Sequence, residues 1–186
     1  NLKSEDEIRC RFGGINHFFW MLDFTVRGRP GYPALRRKLK GTDFDSLLKE
    51  ATTDEAGFHS HHRVAGALLE EYGLLPYVAD RHTTEFFGCY LAPDESKLDR
   101  YKIERTLVKS RRAGLRRRRT RCRRLADGKA KLERNRSRET AADIILALSK
   151  GKEFIDVMNV PSIAQIPNLP LGAVVETLGV VNDLGF

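Results

Sequence analysis

No stretch of about 18 consecutive apolar residues occurs in the sequence, so no segment reads as a membrane-spanning helix. No basic stretch running into an apolar core opens it, so no secretory signal is legible. Cysteine is scarce: Cys10, Cys89 and Cys122 are odd in number, widely spaced and never arranged as Cys-x-x-Cys. That argues against a disulfide framework and a cysteine-built zinc site, and it points to a reducing, cytoplasmic setting. Gly-x-Gly-x-x-Gly, the phosphate-binding Gly-rich loop ending in Gly-Lys-Ser/Thr, His-Glu-x-x-His and Gly-x-Ser-x-Gly are all missing. The chain therefore brings no nucleotide cradle, zinc-protease helix or serine-hydrolase elbow of its own. There is no internal repeat.

What is present suffices for one core. Apolar residues make up 41% of 186, with 9% aromatic, which excludes a wholly disordered chain and suits a domain or a domain and a half. The chain opens at Asn1 and stops at Phe186 inside a Gly-containing apolar stretch, which reads as a piece of something longer.

The net charge of +8 is unevenly placed. Residues 109–138 hold fifteen Lys or Arg against two acids, a net of +13; the rest holds 18 basic and 23 acidic side chains, a net of −5. Such a block repels itself and is usually a solvated insertion or surface helix. Gripping a phosphate backbone is the lesser reading, because the block has no aromatics on which bases could stack and the acidic body extends no basic face.

Residues 1–9 read as a frayed terminus or helix end, and Phe24 and Val26 alternate with polar neighbours as in a strand. Residues 27–33 read as a turn, 34–50 as polar helix and 74–93 as loop. In 61–72, Val64, Ala65, Leu68, Leu69 and Tyr72 recur at helical spacing, with Gly73 at the C-cap. Residues 94–136 are charged and helical in parts. A helix capped by Ser137 or Thr140 runs to Lys150 with Ile144, Ile145 and Leu148 inward, and strands follow at 154–160 and 173–181. The mixture predicts an α+β fold.

Four stretches carry chemistry. Gly13-Gly14-Ile15-Asn16-His17 offers a bendable backbone presenting an amide and an imidazole: a metal and hydroxyl site, or a turn with His17 hydrogen-bonded in the core. Asp80-Arg81-His82-Thr83-Thr84-Glu85 is either an acid–base cluster or a polar loop with internal salt bridges. His59-Ser60-His61-His62 points its rings in different directions, so it reads as the loop leading into a helix rather than a metal site. The Asn159-Val160-Pro161 and Asn168-Leu169-Pro170 stretch followed by Glu176 reads as a well-defined loop and implies no reaction by itself.

Taken in order, GGINHFFWMLDF, EEYGLLPYVADRHTTEFFGCYLAP and SRETAADIILALSKGKEFIDVMNVPSIAQIPNLPLGAVVETLGVVNDLGF resemble the C-terminal domain of glycoside hydrolase family 4. The likeness covers residues 10–33, 61–93 and 137–186; residues 94–136 stand apart as an Arg-rich insertion in a domain spanning 1–186. The resemblance implies the substrate and dimerisation domain of a lactate/malate-dehydrogenase-like glycosidase whose dinucleotide-binding domain is missing. It implies NAD and Mn2+ as cofactors, and hydrolysis by oxidation at sugar C3, proton removal at C2, elimination and addition of water. Carried over, His17 is the metal ligand, Asn16 a sugar contact, and Asp80 and His82 the catalytic residues, with Asp80 favoured as base and Tyr77 nearby. Arg81 could hold a uronate carboxylate. The Asp-bearing loop is similar to that of members acting on unphosphorylated glucosides, galactosides or uronides. Homodimers or homotetramers are implied. The family's metal-binding cysteine is not matched, since Cys10 lies only seven residues before His17, and Ser162-Ile163-Ala164 stands where Asn-x-Gly is usual. The alternative is an inactive remnant serving as a polyanion-binding or oligomerisation module.

Overall fold

The computed structural model describes residues 4, 7–42, 52–53, 59–91, 95–133 and 139–186. In chain order the strands and helices are β1 (Ile8–Ile15), β2 (Phe18–Val26), β3 (Arg29–Pro30), α1 (Gly31–Leu39), β4 (Thr52–Thr53), β5 (His59–Ser60), α2 (Arg63–Tyr72), β6 (Leu75–Pro76), α3 (Asp80–Thr83), α4 (Glu95–Tyr101), α5 (Val108–Ala126), α6 (Ala141–Lys150), β7 (Phe154–Pro161) and β8 (Val174–Val181). The expected α+β class holds. The main sheet is antiparallel with order β3-β2-β1-β8-β7, and β6 joins the far end of β2.

The first two strands form a hairpin closed by Asn16-His17, with Ile15 paired to Phe18. This moves the bend. The sequence suggests Gly13-Gly14 as the corner, yet both lie within β1 and the left-handed residue is His17, at φ 60°. Glycine is needed at 14 for space: a Cβ there would lie 2.4 Å from the Phe18 carbonyl oxygen and 2.5 Å from Phe19 Cα. The extra residue Leu22 on β2, where pairing shifts beyond Arg11, adds local twist.

Helix α2 buries Val64, Ala65, Leu68 and Leu69 of the predicted stripe, leaves its fifth member Tyr72 exposed, and ends at Gly73, φ 74°. Its apolar face makes a core with Tyr90, Leu98 and Ile103, against which Trp20 and Phe87 pack from the sheet and loop. Tyr32 ties α1 down by donating to the Met21 carbonyl and accepting the Leu75 N–H at 3.0 Å. Helix α6 departs from expectation. Ala147 is its buried residue, whereas Ile145 and Leu148 face outward. The apolar run Ile144-Ile145-Leu146-Ala147-Leu148 covers so much of the helix circumference that spacing alone selects no face. The predicted polar helix at 34–50 is α1 as far as it is described, and residues 43–50 lie outside the described part, as does Ser137. Helix α5 has no buried residue.

Candidate functional site

The hairpin tip brings Asn16 and His17 over the edge of β8 and β7. Gly14 pairs with Glu176, and Glu176 pairs with Asn159, so both polar side chains rise on one face of the sheet toward the tip. The Glu176 carboxylate accepts the His17 backbone N–H at 2.5 Å. The Asn159 amide donates to Asn16 Oδ1 at 3.0 Å. These partners lie 159 and 143 residues away along the chain, so one strand pairing assembles half of the site.

The other half comes from the turn of α3. Here side chains divide by helical spacing. Asp80, Thr83 and Thr84 point inward, each 2% exposed or less, while Arg81, His82 and Glu85 point out. The inward set is anchored: the Thr83 hydroxyl donates to the Val78 carbonyl at 3.0 Å and that of Thr84 to the Arg81 carbonyl at 2.8 Å. Asp80 Oδ1 accepts the Ala65 N–H at 3.0 Å, placing the carboxylate at the start of α2, and the Asp80 N–H donates to Ser60 Oγ at 3.4 Å. Burial pushes the Asp80 carboxyl above its ordinary value, and the amides of Ala65, Val64 and Arg63 pull it down less.

The halves meet at the two imidazoles. His17 Nδ1 lies 2.6 Å from His82 Nε2, a hydrogen bond in which one ring nitrogen donates and the other accepts. His82 Nδ1 lies 3.5 Å from Glu85 Oε1. Aromatic rings underpin the pair: Phe18 stacks on Phe86 at 4.9 Å and Phe19 on Tyr77 at 4.5 Å.

Asn16, His17 and His82 are thus brought together. Asp80 is not with them; it sits beneath the turn. Arg81 does not join them: its guanidinium donates to Thr106 Oγ1. Glu176 and Asn159 read in the sequence as parts of a shaped loop. Their only chemical signal there is the pairing of two late strands, and that becomes a site only when β8 docks on β1. Of the histidines at 59–62, His62 precedes α2 in a left-handed conformation, φ 55°.

Imidazole nitrogens beside carboxylate oxygens are a donor set that suits a divalent cation of the manganese type. Among the described residues no three such side chains converge on one point, so the chain offers part of a ligand set. For a dinucleotide the fit is lacking, because no Gly-rich strand–turn–helix is present in the sequence.

Comparison with known proteins gives four findings. The profile of the family 4 glycosyl hydrolase C-terminal domain matches residues 12–186. An alpha-galacturonidase of Bacillus subtilis (strain 168) is 33% identical over 175 residues, 92% of this chain but 38% of that protein. The crystal structure of lplD from Bacillus subtilis superposes with a TM-score of 0.78 at 28% identity, covering 98% of this chain and 42% of that one. A 6-phospho-alpha-glucosidase from gut microorganisms, solved in complex with NAD and Mn2+, has the same fold at a TM-score of 0.53 and 19% identity, over 98% of this chain and 41% of that one.

Proposed function

This chain belongs to the family 4 glycosyl hydrolases, as their C-terminal domain, and from that premise we propose that it forms the sugar-facing part of a glycosidase that cleaves alpha-galacturonides. The observation that carries this reading is the chain of contacts that links Asn159 to Asn16, Glu176 to the His17 backbone and His17 to His82. The galacturonide is favoured over phosphorylated or neutral sugars by the relative's name, alpha-galacturonidase. It is favoured too by Arg81, which follows the same turn as His82 and carries a planar guanidinium suited to bidentate carboxylate binding.

The roles follow from position. His17, with Nδ1 hydrogen-bonded to His82, would offer Nε2 to a divalent cation, while Glu176 holds its backbone. Bound, the cation would supply Lewis acidity toward sugar hydroxyls and NAD would supply reversible hydride acceptance. Asn16, its carbonyl oxygen already held by Asn159, keeps amide donors for a sugar hydroxyl. In the oxidation–elimination–addition route, a proton leaves sugar C2. We assign its acceptance to His82 Nε2, which gives up its hydrogen bond to His17 Nδ1 as substrate enters. Asp80, the other candidate base, acts from behind by fixing α3 against α2. Self-association to a homodimer or homotetramer belongs to the same reading, supported by the outward apolar residues Ile145, Leu146 and Leu148 of α6.

The test is hydrolysis by the full protein, supplied with NAD and Mn2+, of aryl alpha-galacturonide, alpha-galactoside and alpha-galactoside 6-phosphate. The uronide is expected to be preferred by about 100-fold or more in kcat/KM, since a site built to bond a carboxylate rejects the analogue that lacks it. Equal or faster turnover of either competitor would sink the proposal.

A further inference from the structure

A groove of about 720 Å3 is lined by Arg81, the chain neighbour of His82, by Thr106 and by Arg111, Arg112, Arg117 and Arg118 of α5. Helix α5 holds ten Lys or Arg and no acid over 19 residues, and none of it is buried. Helix α5 therefore presents its cations to solvent. It begins where Arg81 bonds to Thr106, one residue along the chain from the ring that touches His17.

We propose that this groove is an extension of the substrate site that holds further uronate units of an oligogalacturonide. The inference rests on the galacturonide reading above. Each added unit brings one carboxylate, and exposed guanidinium groups bind carboxylates through two parallel N–H donors. A bound polyanion also relieves the helix itself. Arg112 faces Arg116, Arg117 faces Arg121 and Arg119 faces Arg123 at i,i+4, and such like-charged pairs destabilise a helix. Nucleic acid fits the same charge less well. Helix α5 has no aromatic residue on which a base could stack, and the sequence outside residues 109–138 carries a net charge of −5, so no basic track continues beyond that block.

The experiment is titration of the full protein with a fluorescent hexagalacturonate, a monomeric galacturonide, a neutral galactan hexasaccharide and a short double-stranded RNA, in low and moderate salt. The same titrations are run on a variant combining Arg111→Gln, Arg112→Gln, Arg117→Gln and Arg118→Gln, which keeps helix propensity. We expect the wild type to bind the hexagalacturonate more tightly than the RNA or the galactan, with an affinity that falls as salt rises. The variant should lose about tenfold or more of the hexamer affinity while its monomer affinity stays within about twofold, as removing several charge-assisted bonds predicts. Unchanged hexamer affinity in the variant, or tighter binding of the RNA, overturns the extension while leaving the galacturonide reading standing. A wild type that binds neither monomer nor hexamer overturns both.

Discussion

The carboxyl of Asp80 is 2% exposed, with one oxygen on the Ala65 amide. Burial raises its pKa above the ordinary value, so the folded chain holds this proton more readily than the unfolded one. Its contribution to stability is therefore most favourable at acid pH, and it is lost as pH rises through the raised native value. Asp80→Asn keeps an acceptor for Ala65 and removes the charge. Thermal melts should show this variant gaining on the wild type at neutral pH, with the gap closing in acid. A variant that melts lower than wild type at neutral pH would mean the charge stabilises the start of α2 by more than burial costs. Asp80→Ala leaves the Ala65 N–H without its acceptor and should cost about 1–3 kcal/mol at either pH. His17 and Asn16 are legible in the sequence because an imidazole and an amide beside glycines form a compact local pattern. The burial of Asp80 is not, since it depends on α2 packing over a turn fifteen residues later.

The hairpin shows what local pattern can and cannot convey about an element. A glycine pair signals that something close or bent occurs, and both options are compatible with the residues themselves. The strand pairing decides: Gly14 stays extended and lets the Phe18–Phe19 backbone pass within 2.5 Å of where a Cβ would sit. Gly14→Ala has no flexible side-chain end to push aside there, so it should destabilise by about 2–3 kcal/mol or more and displace His17 from Glu176. Chemical denaturation of the variant checks this, and a loss below about 1 kcal/mol would show that the hairpin yields. Helix α2 was legible because its stripe is narrow, whereas α6 is apolar over most of its circumference and so names no inward face. Helix α5 stands without a packed face and against its own repulsion. Arg112→Glu places an acid four residues before Arg116, a pairing worth about 0.2–0.5 kcal/mol in place of a repulsive one. Hydrogen-exchange protection of the α5 amides should rise in that variant at low salt, and an unchanged or lower protection would contradict the account.

At the scale of the whole molecule, β1 and β8 join the two ends of the sequence, and with them the two halves of the site. No spacing within either end foretells that pairing; only the family resemblance does. The sheet face that carries Asn159 and Glu176 then runs on through Ile155, Leu178 and Val180, which stay 55%, 39% and 45% exposed. An apolar surface beside a polar site marks a place that something covers. The chain spans 38% of the Bacillus subtilis relative, and in the proposed reaction a nicotinamide must reach a sugar held at His17 and His82. On that proposal, a part of a longer protein that holds the nicotinamide would lie over the site and over this face. Leu178→Cys, in a background with Cys89→Ser and Cys122→Ser to remove the exposed thiols, reports that cover. A maleimide should label position 178 quickly in the 186-residue chain and at least about tenfold more slowly in a protein extended to the relative's length, because a packed interface excludes solvent and reagent alike. Equal rates would leave the face bare in both and remove the argument for where the cofactor-holding part sits.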